Sequence, residues 1–126
     1  MIIVVLGMHR SGTSLISGLL AQVGVHFGKE AEFIQANEEN PKGFWERRDV
    51  RKLNDMLLHS MNCDWSEISS LSGRTPPGDV LTEFETEAER IIRHLQEGAG
   101  SGVIGLKEPR LCLLMPYWRK LLGDRV

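Results

Sequence analysis

The chain has 126 residues, enough for one domain with a modest core, and 41% of them are apolar and 25% charged, as in ordinary globular proteins. Fifteen basic and seventeen acidic side chains give a formal charge of −2, so no pervasive positive field exists to hold a nucleic acid backbone. Cys63 and Cys112 lie far apart with no CxxC spacing, which disfavours a disulfide framework and a zinc site and fits reduced thiols in a cytosolic protein.

The opening run Ile2-Ile3-Val4-Val5-Leu6 is continuous, apolar and β-branched. It suits a strand buried on both faces of a parallel sheet, and it is far shorter than a membrane span. It also lacks a basic leader and cleavage site, so the expected location is cytoplasmic, with no membrane partner. Gly7 to Gly12 is a short loop, and from Thr13 the period changes. Leu15, Ile16, Leu19, Leu20 and Val23 fall on one face of a helix that Gly24 stops. Asn37, Asn40, Pro41 and Gly43 mark a polar loop. A second helix is expected from about Glu46 to Met61, with Val50, Leu53, Met56 and Leu57 inward.

Residues 66–79, with Pro76-Pro77-Gly78, form a linker or loop. Asp79 is placed to cap a third helix whose apolar face is Leu81, Phe84, Ala88, Ile91, Ile92 and Leu95, ending in the glycines of 98–102. Those glycines make a GxGxG string, but a strand follows it and not a helix, so it is no dinucleotide fingerprint. Val103 to Leu106 is expected as a second buried strand ending at Lys107-Glu108-Pro109-Arg110. A fourth helix is expected over Met115–Leu122 with Pro116 in its first turn, and Asp124-Arg125-Val126 as the approach to a third strand. Strands alternating with helices predict an α/β fold, a single domain over residues 1–126 with a parallel sheet, right-handed crossovers and flanking helices.

The segment Gly7-Met8-His9-Arg10-Ser11-Gly12-Thr13-Ser14 carries the chemistry. It joins a strand to a helix, where unpaired N–H groups and the positive end of the helix dipole face outward. Gly7 and Gly12 allow close backbone approach, Ser11, Thr13 and Ser14 supply hydroxyl donors, and Arg10 supplies a fixed charge beside His9. The nucleotide-hydrolase pattern GxxxxGK[ST] requires lysine after Gly12, where Thr13 stands.

This loop resembles the 5′-phosphosulfate loop of the sulfotransferase family. Asn40-Pro41-Lys42-Gly43-Phe44-Trp45-Glu46 and Leu106-Lys107-Glu108-Pro109-Arg110 resemble segments of a bacterial-type branch of it, in the same order. The resemblance implies a P-loop-type fold and transfer of a sulfuryl group from 3′-phosphoadenosine 5′-phosphosulfate to a hydroxyl or amine, with no metal. It places Arg10, Ser11, Gly12, Thr13 and Ser14 on the nucleotide sulfate donor; Gly7 and His9 belong to the same loop, and Arg110, at the carboxyl end of the second strand where ligands of open α/β sheets gather, is expected to face the same pocket. Arg10 suits charge stabilisation, and Lys107 is a second cation at the same strand end; Glu46, within the second motif, is the first candidate general base and His9, in the loop, the second. Where the family more often has Asp, this chain has Glu108.

Trp45 and Trp65 are candidates either for an acceptor site or for core anchors. The acceptor, whether small molecule, sugar or peptide, is left open. The family's 3′-phosphate groups lie on a later strand and helix, so the expectation is an amino-terminal portion of a complete fold, with a homodimer or a completing chain as possible partners. Two other readings stay open: a small-molecule kinase using ATP, and a non-catalytic phosphate- or sulfate-binding fragment.

Overall fold

The structure, a computed structural model, describes residues 1–38, 40–41, 43–67 and 71–126. Among these residues the chain is mixed α/β, with four α-helices and a two-stranded parallel sheet. β1 (Ile2–Val5) and β2 (Ile104–Lys107) pair with Ile2 opposite Ile104 and Val5 opposite Lys107. Parallel pairing needs a crossover, and α1 (Thr13–Gln22), α2 (Arg48–Ser60) and α3 (Gly78–Ala99) lie within it. Both strands therefore end at the same edge of the sheet. The loop after β1 and the turn after β2 leave that edge side by side.

Beyond β2 the sheet continues as a single bridge. Val103 O accepts from His26 N at 2.9 Å, and Gly105 N donates to His26 O at 2.9 Å. Gly105 is required there, because a Cβ would lie 2.4 Å from the Phe27 ring.

The core lies between the sheet and α2, α3 and α4 (Leu111–Leu122). Val50, Leu53 and Leu57 from α2 meet Phe84, Ala88, Ile91, Ile92 and Leu95 from α3, as their helical spacing predicts. Leu111, Leu114, Trp118 and Leu122 close it from α4, with the Phe84 and Trp118 rings edge to face at 5.4 Å. Burial of each large side chain stabilises by about 1.5–3 kcal/mol before ordering entropy. Met56 and Leu81 pack at the margin.

α1 does not bury the apolar face that its spacing defines. Leu15, Ile16, Leu19 and Val23 are 67%, 50%, 51% and 79% exposed, and the buried side chains of α1 are Thr13 and Ser17. Two small residues four apart form the inner stripe, so the rotation of α1 follows its anchored N-terminus and not its apolar pattern. Ser17 Oγ is buried without a hydrogen-bond partner among the described residues. β1 is likewise only partly covered beyond Ile2, whereas β2 is buried along its length.

Four boundaries also move. Glu46 precedes α2 by two residues and does not begin it. Pro77 is the N-cap of α3, so Asp79 lies inside its first turn, where a negative charge suits the dipole. α4 starts at Leu111, which puts Pro116 inside the helix at the loss of one ladder bond. Residues Gly123–Arg125 form a 3₁₀ turn where an approach to a strand was expected. The Ser-rich part of the expected 66–79 linker, residues 68–70, lies outside the described residues, as does Lys42 of the second motif.

The irregular stretch between α1 and α2 is fastened at Arg47. Its guanidinium, 5% exposed, holds Glu32 Oε2 at 2.6 Å and Asp49 Oδ2 at 2.6 Å. Glu32 also accepts from Lys29 N at 2.7 Å and pairs with His94 of α3 at 2.6 Å. Gly28, at φ 121°, leaves room for this guanidinium; a Cβ would meet Nη1 at 2.5 Å. Ile34 N donates to Glu46 O at 2.8 Å. The segment that delivers Glu46 is thus pinned to α2 and α3.

Candidate anion-binding cleft

The first turn of α1 is left uncapped. Its N-cap is Gly12 in the left-handed region at φ 84°, which supplies no capping side chain, and the turn contains no acidic residue. The leading N–H groups of a helix have no partner inside it. Gly7 permits the tight return of the loop, since a Cβ there would lie 2.4 Å from Thr13 Cγ2 and 2.5 Å from Ser11 Oγ. Arg10 is held at φ 60°, an uncommon conformation for a residue with a side chain, so the loop turns through the left-handed region at both Arg10 and Gly12. Ser11 Oγ donates to Met8 O at 2.6 Å and closes the bend.

A cleft of about 410 Å³ opens at this loop. His9, Arg10, Gly12, Thr13 and Ser14 form one wall, Asn40, Phe44 and Glu46 a second, and Trp65, Lys107 and Pro109 the rest. Its size is that of a small-ligand site. Three separate sequence segments therefore meet, and they are the three that carry the family resemblance. Arg10 is exposed on the rim, and among the described residues no ion pair occupies it.

Lys107 knits these walls together. Its ammonium lies 2.5 Å from Glu46 Oε1, 2.9 Å from Phe44 O and 3.2 Å from Ser14 Oγ. An ammonium has three N–H donors, so this set uses all of them. The charge of Lys107 thus acts on the cleft through the groups it holds. Ser14 Oγ accepts a further bond from Asn40 Nδ2 at 3.0 Å, which fixes its position. Side-chain exposure of 3% at Lys107 and 8% at Glu46 marks a buried ion pair.

Arg110 is placed differently from the sequence expectation. It does not line the cleft. Its guanidinium is buried between Asp55 Oδ1 at 2.5 Å and Glu108 Oε1 at 2.6 Å. Burial works against the charged guanidinium, but Glu108 and Asp55 outweigh it and hold the arginine above its ordinary value. Glu108 Oε2 accepts from Asn54 Nδ2 at 2.7 Å and from Arg110 N at 3.1 Å, and Asn54 Oδ1 accepts from Trp118 Nε1 at 2.8 Å. Burial pushes the Glu108 carboxyl up from its usual range, against the pull of Asn54 and Arg110. The longer acid at position 108 is therefore a structural hub joining α2, α4 and the end of β2.

The two candidate tryptophans separate. Trp45, at φ 57°, packs against Phe33 at 5.6 Å and Phe27 at 6.0 Å, close to Gly18 of α1. Such a backbone angle is a real strain for an aromatic residue, and it sends neighbouring side chains to different surroundings. Trp65 lines the cleft. Sequence reasoning missed Asn40, Phe44 and Pro109 as cleft residues, although all three stand inside the two motif segments. Cys63 and Cys112 are not joined to each other. Among the described residues no helix is long and apolar enough to cross a membrane.

Comparison of the chain with protein-family models, with curated proteins and with solved structures finds no match in any of the three.

Proposed function

We propose that the chain is a P-loop-type sulfotransferase domain, or the amino-terminal portion of one, that moves a sulfuryl group from 3′-phosphoadenosine 5′-phosphosulfate to a hydroxyl or amine. One observation carries this reading: Lys107 joins Ser14, Phe44 and Glu46, so an anion cradle and a carboxylate share one cleft. The donor set fits a phosphosulfate. Uncapped amides of residues 12–14, the Thr13 hydroxyl and the exposed Arg10 guanidinium are all anion ligands, and Gly7 leaves the loop tight enough to present them. When bound, the donor supplies an activated sulfur–oxygen bond.

The protein's own groups do the rest. The amides and Arg10 orient the anion and offset the charge that grows on the bridging oxygen as its bond to sulfur breaks. Glu46 receives the proton of the acceptor hydroxyl as the new oxygen–sulfur bond forms. Lys107 positions that carboxylate and keeps Ser14 at the mouth of the loop. The nucleotide leaves with its 5′-phosphate, and the acceptor leaves as a sulfate ester or sulfamate.

Melting curves test the reading. The desulfated product 3′-phosphoadenosine 5′-phosphate is expected to raise the melting temperature more than ATP with magnesium does. A larger shift with ATP would favour the kinase reading, and no shift with either would favour a fragment that does not bind nucleotide.

A further inference from the structure

Large aromatic side chains at a protein surface are informative when they line a cavity, and Trp65 is 45% exposed in the wall of the cleft that holds Glu46. Its ring is not loose. The His9 ring lies 4.7 Å away, centroid to centroid, at an interplanar angle of 49°. The Arg110 guanidinium lies 6.0 Å from the ring centroid and is itself clamped by Asp55 and Glu108. A cation at that range attracts the negative face of an indole. Trp65 is therefore braced by the anion loop on one side and by the turn after β2 on another, while almost half of it stays open to solvent.

We propose that Trp65 is a stacking platform for a sugar ring, and that the acceptor entering this cleft is a saccharide. The inference rests on the sulfuryl-transfer reading for what happens to that ring, but not for its binding. The weakly positive C–H face of a pyranose complements the electron-rich indole, while its hydroxyl edges need polar partners. The cleft offers both: Trp65, Phe44 and Pro109 in its lining, with His9, Asn40 and Glu46 as hydrogen-bonding groups. A planar phenol is better served by a closed apolar slot. Here the indole, His9 and Arg10 are all exposed, which suits a ring presented from a longer glycan.

The test is a titration of the isotope-labelled chain with the methyl glycosides of glucose, galactose, mannose and N-acetylglucosamine, and separately with glycerol and with 4-nitrophenol. The Trp65 indole N–H signal is assigned by its loss in Trp65→Phe. At least one glycoside is expected to shift that signal saturably, with glycerol inert. Trp65→Ala should weaken that glycoside about five-fold, read from shifts at Asn40 and Phe44, whereas Trp65→Phe should retain most of the affinity. No saturable shift with any glycoside, or a stronger response to 4-nitrophenol, would overturn the proposal. Glycoside binding without any nucleotide-induced melting shift would keep the saccharide platform and remove the sulfuryl-transfer reading.

Discussion

Lys107 Nζ and Glu46 Oε1 stand 2.5 Å apart although 61 positions separate them in the chain. Both side chains are almost fully buried, so each is the other's compensation for lost hydration. Lys107→Met is expected to destabilise the fold by about 3 kcal/mol, and Glu46→Gln by less, because glutamine can still accept a hydrogen bond. The double variant should recover a large part of the loss. Urea unfolding of the four proteins in a double-mutant cycle measures this; additive losses would show that the two groups do not interact.

Gly12 and Gly24 separate binding from folding. Both sit at positive φ, 84° and 98°, with open space where a Cβ would go. Alanine at either position should cost about 1 kcal/mol from backbone strain alone. Only Gly12→Ala disturbs the cradle, so it should also remove the melting shift given by 3′-phosphoadenosine 5′-phosphate. Equal nucleotide responses in the two variants would place the binding site elsewhere.

Acid sensitivity should trace to Glu32. Burial alone would raise its carboxyl, but bonds from Lys29 N–H, His94 and Arg47 overcome burial and hold it at about 2, below the ordinary 4.5. The folded state therefore binds the proton less readily than the unfolded state does. Its contribution is complete above pH 4.5 and is lost as pH falls towards 2. With the carboxyl one-quarter exposed, that contribution is about 1–2 kcal/mol after allowance for solvent screening. Glu32→Gln should flatten the stability profile across this window. An unchanged acid limb in the variant would contradict the assignment.

How far the sequence was legible follows from which residues had a single task. In α2 and α3 the apolar spacing and the buried face coincide, because Leu57, Phe84 and Ile91 only pack. In α1 the same rule misled. The helix is anchored by the glycine-bounded loop at one end and by the Lys107–Ser14 bond, and it presents Thr13 and Ser17 inward. That Glu46 and Lys107 would lie at the same cleft as the loop was legible from their places after a loop and at a strand end; their direct ion pair was not. The fate of Arg110 was not, since it depends on Asp55, 55 positions earlier, and on the length of Glu108.

The exposed stripe of α1 gives its own test. Leu19→Glu and Val23→Lys replace side chains already half or more in solvent and should change stability by no more than about 0.5 kcal/mol. A loss of several kcal/mol in denaturant unfolding would return these residues to the core of the isolated chain.

The most direct measurement is a titration of the ¹⁵N-labelled chain with 3′-phosphoadenosine 5′-phosphate, followed amide by amide. The account predicts the largest saturable shifts at Gly12, Thr13 and Ser14, and their disappearance in Arg10→Ala. Saturable shifts centred on other residues, with these three amides unmoved, would contradict it.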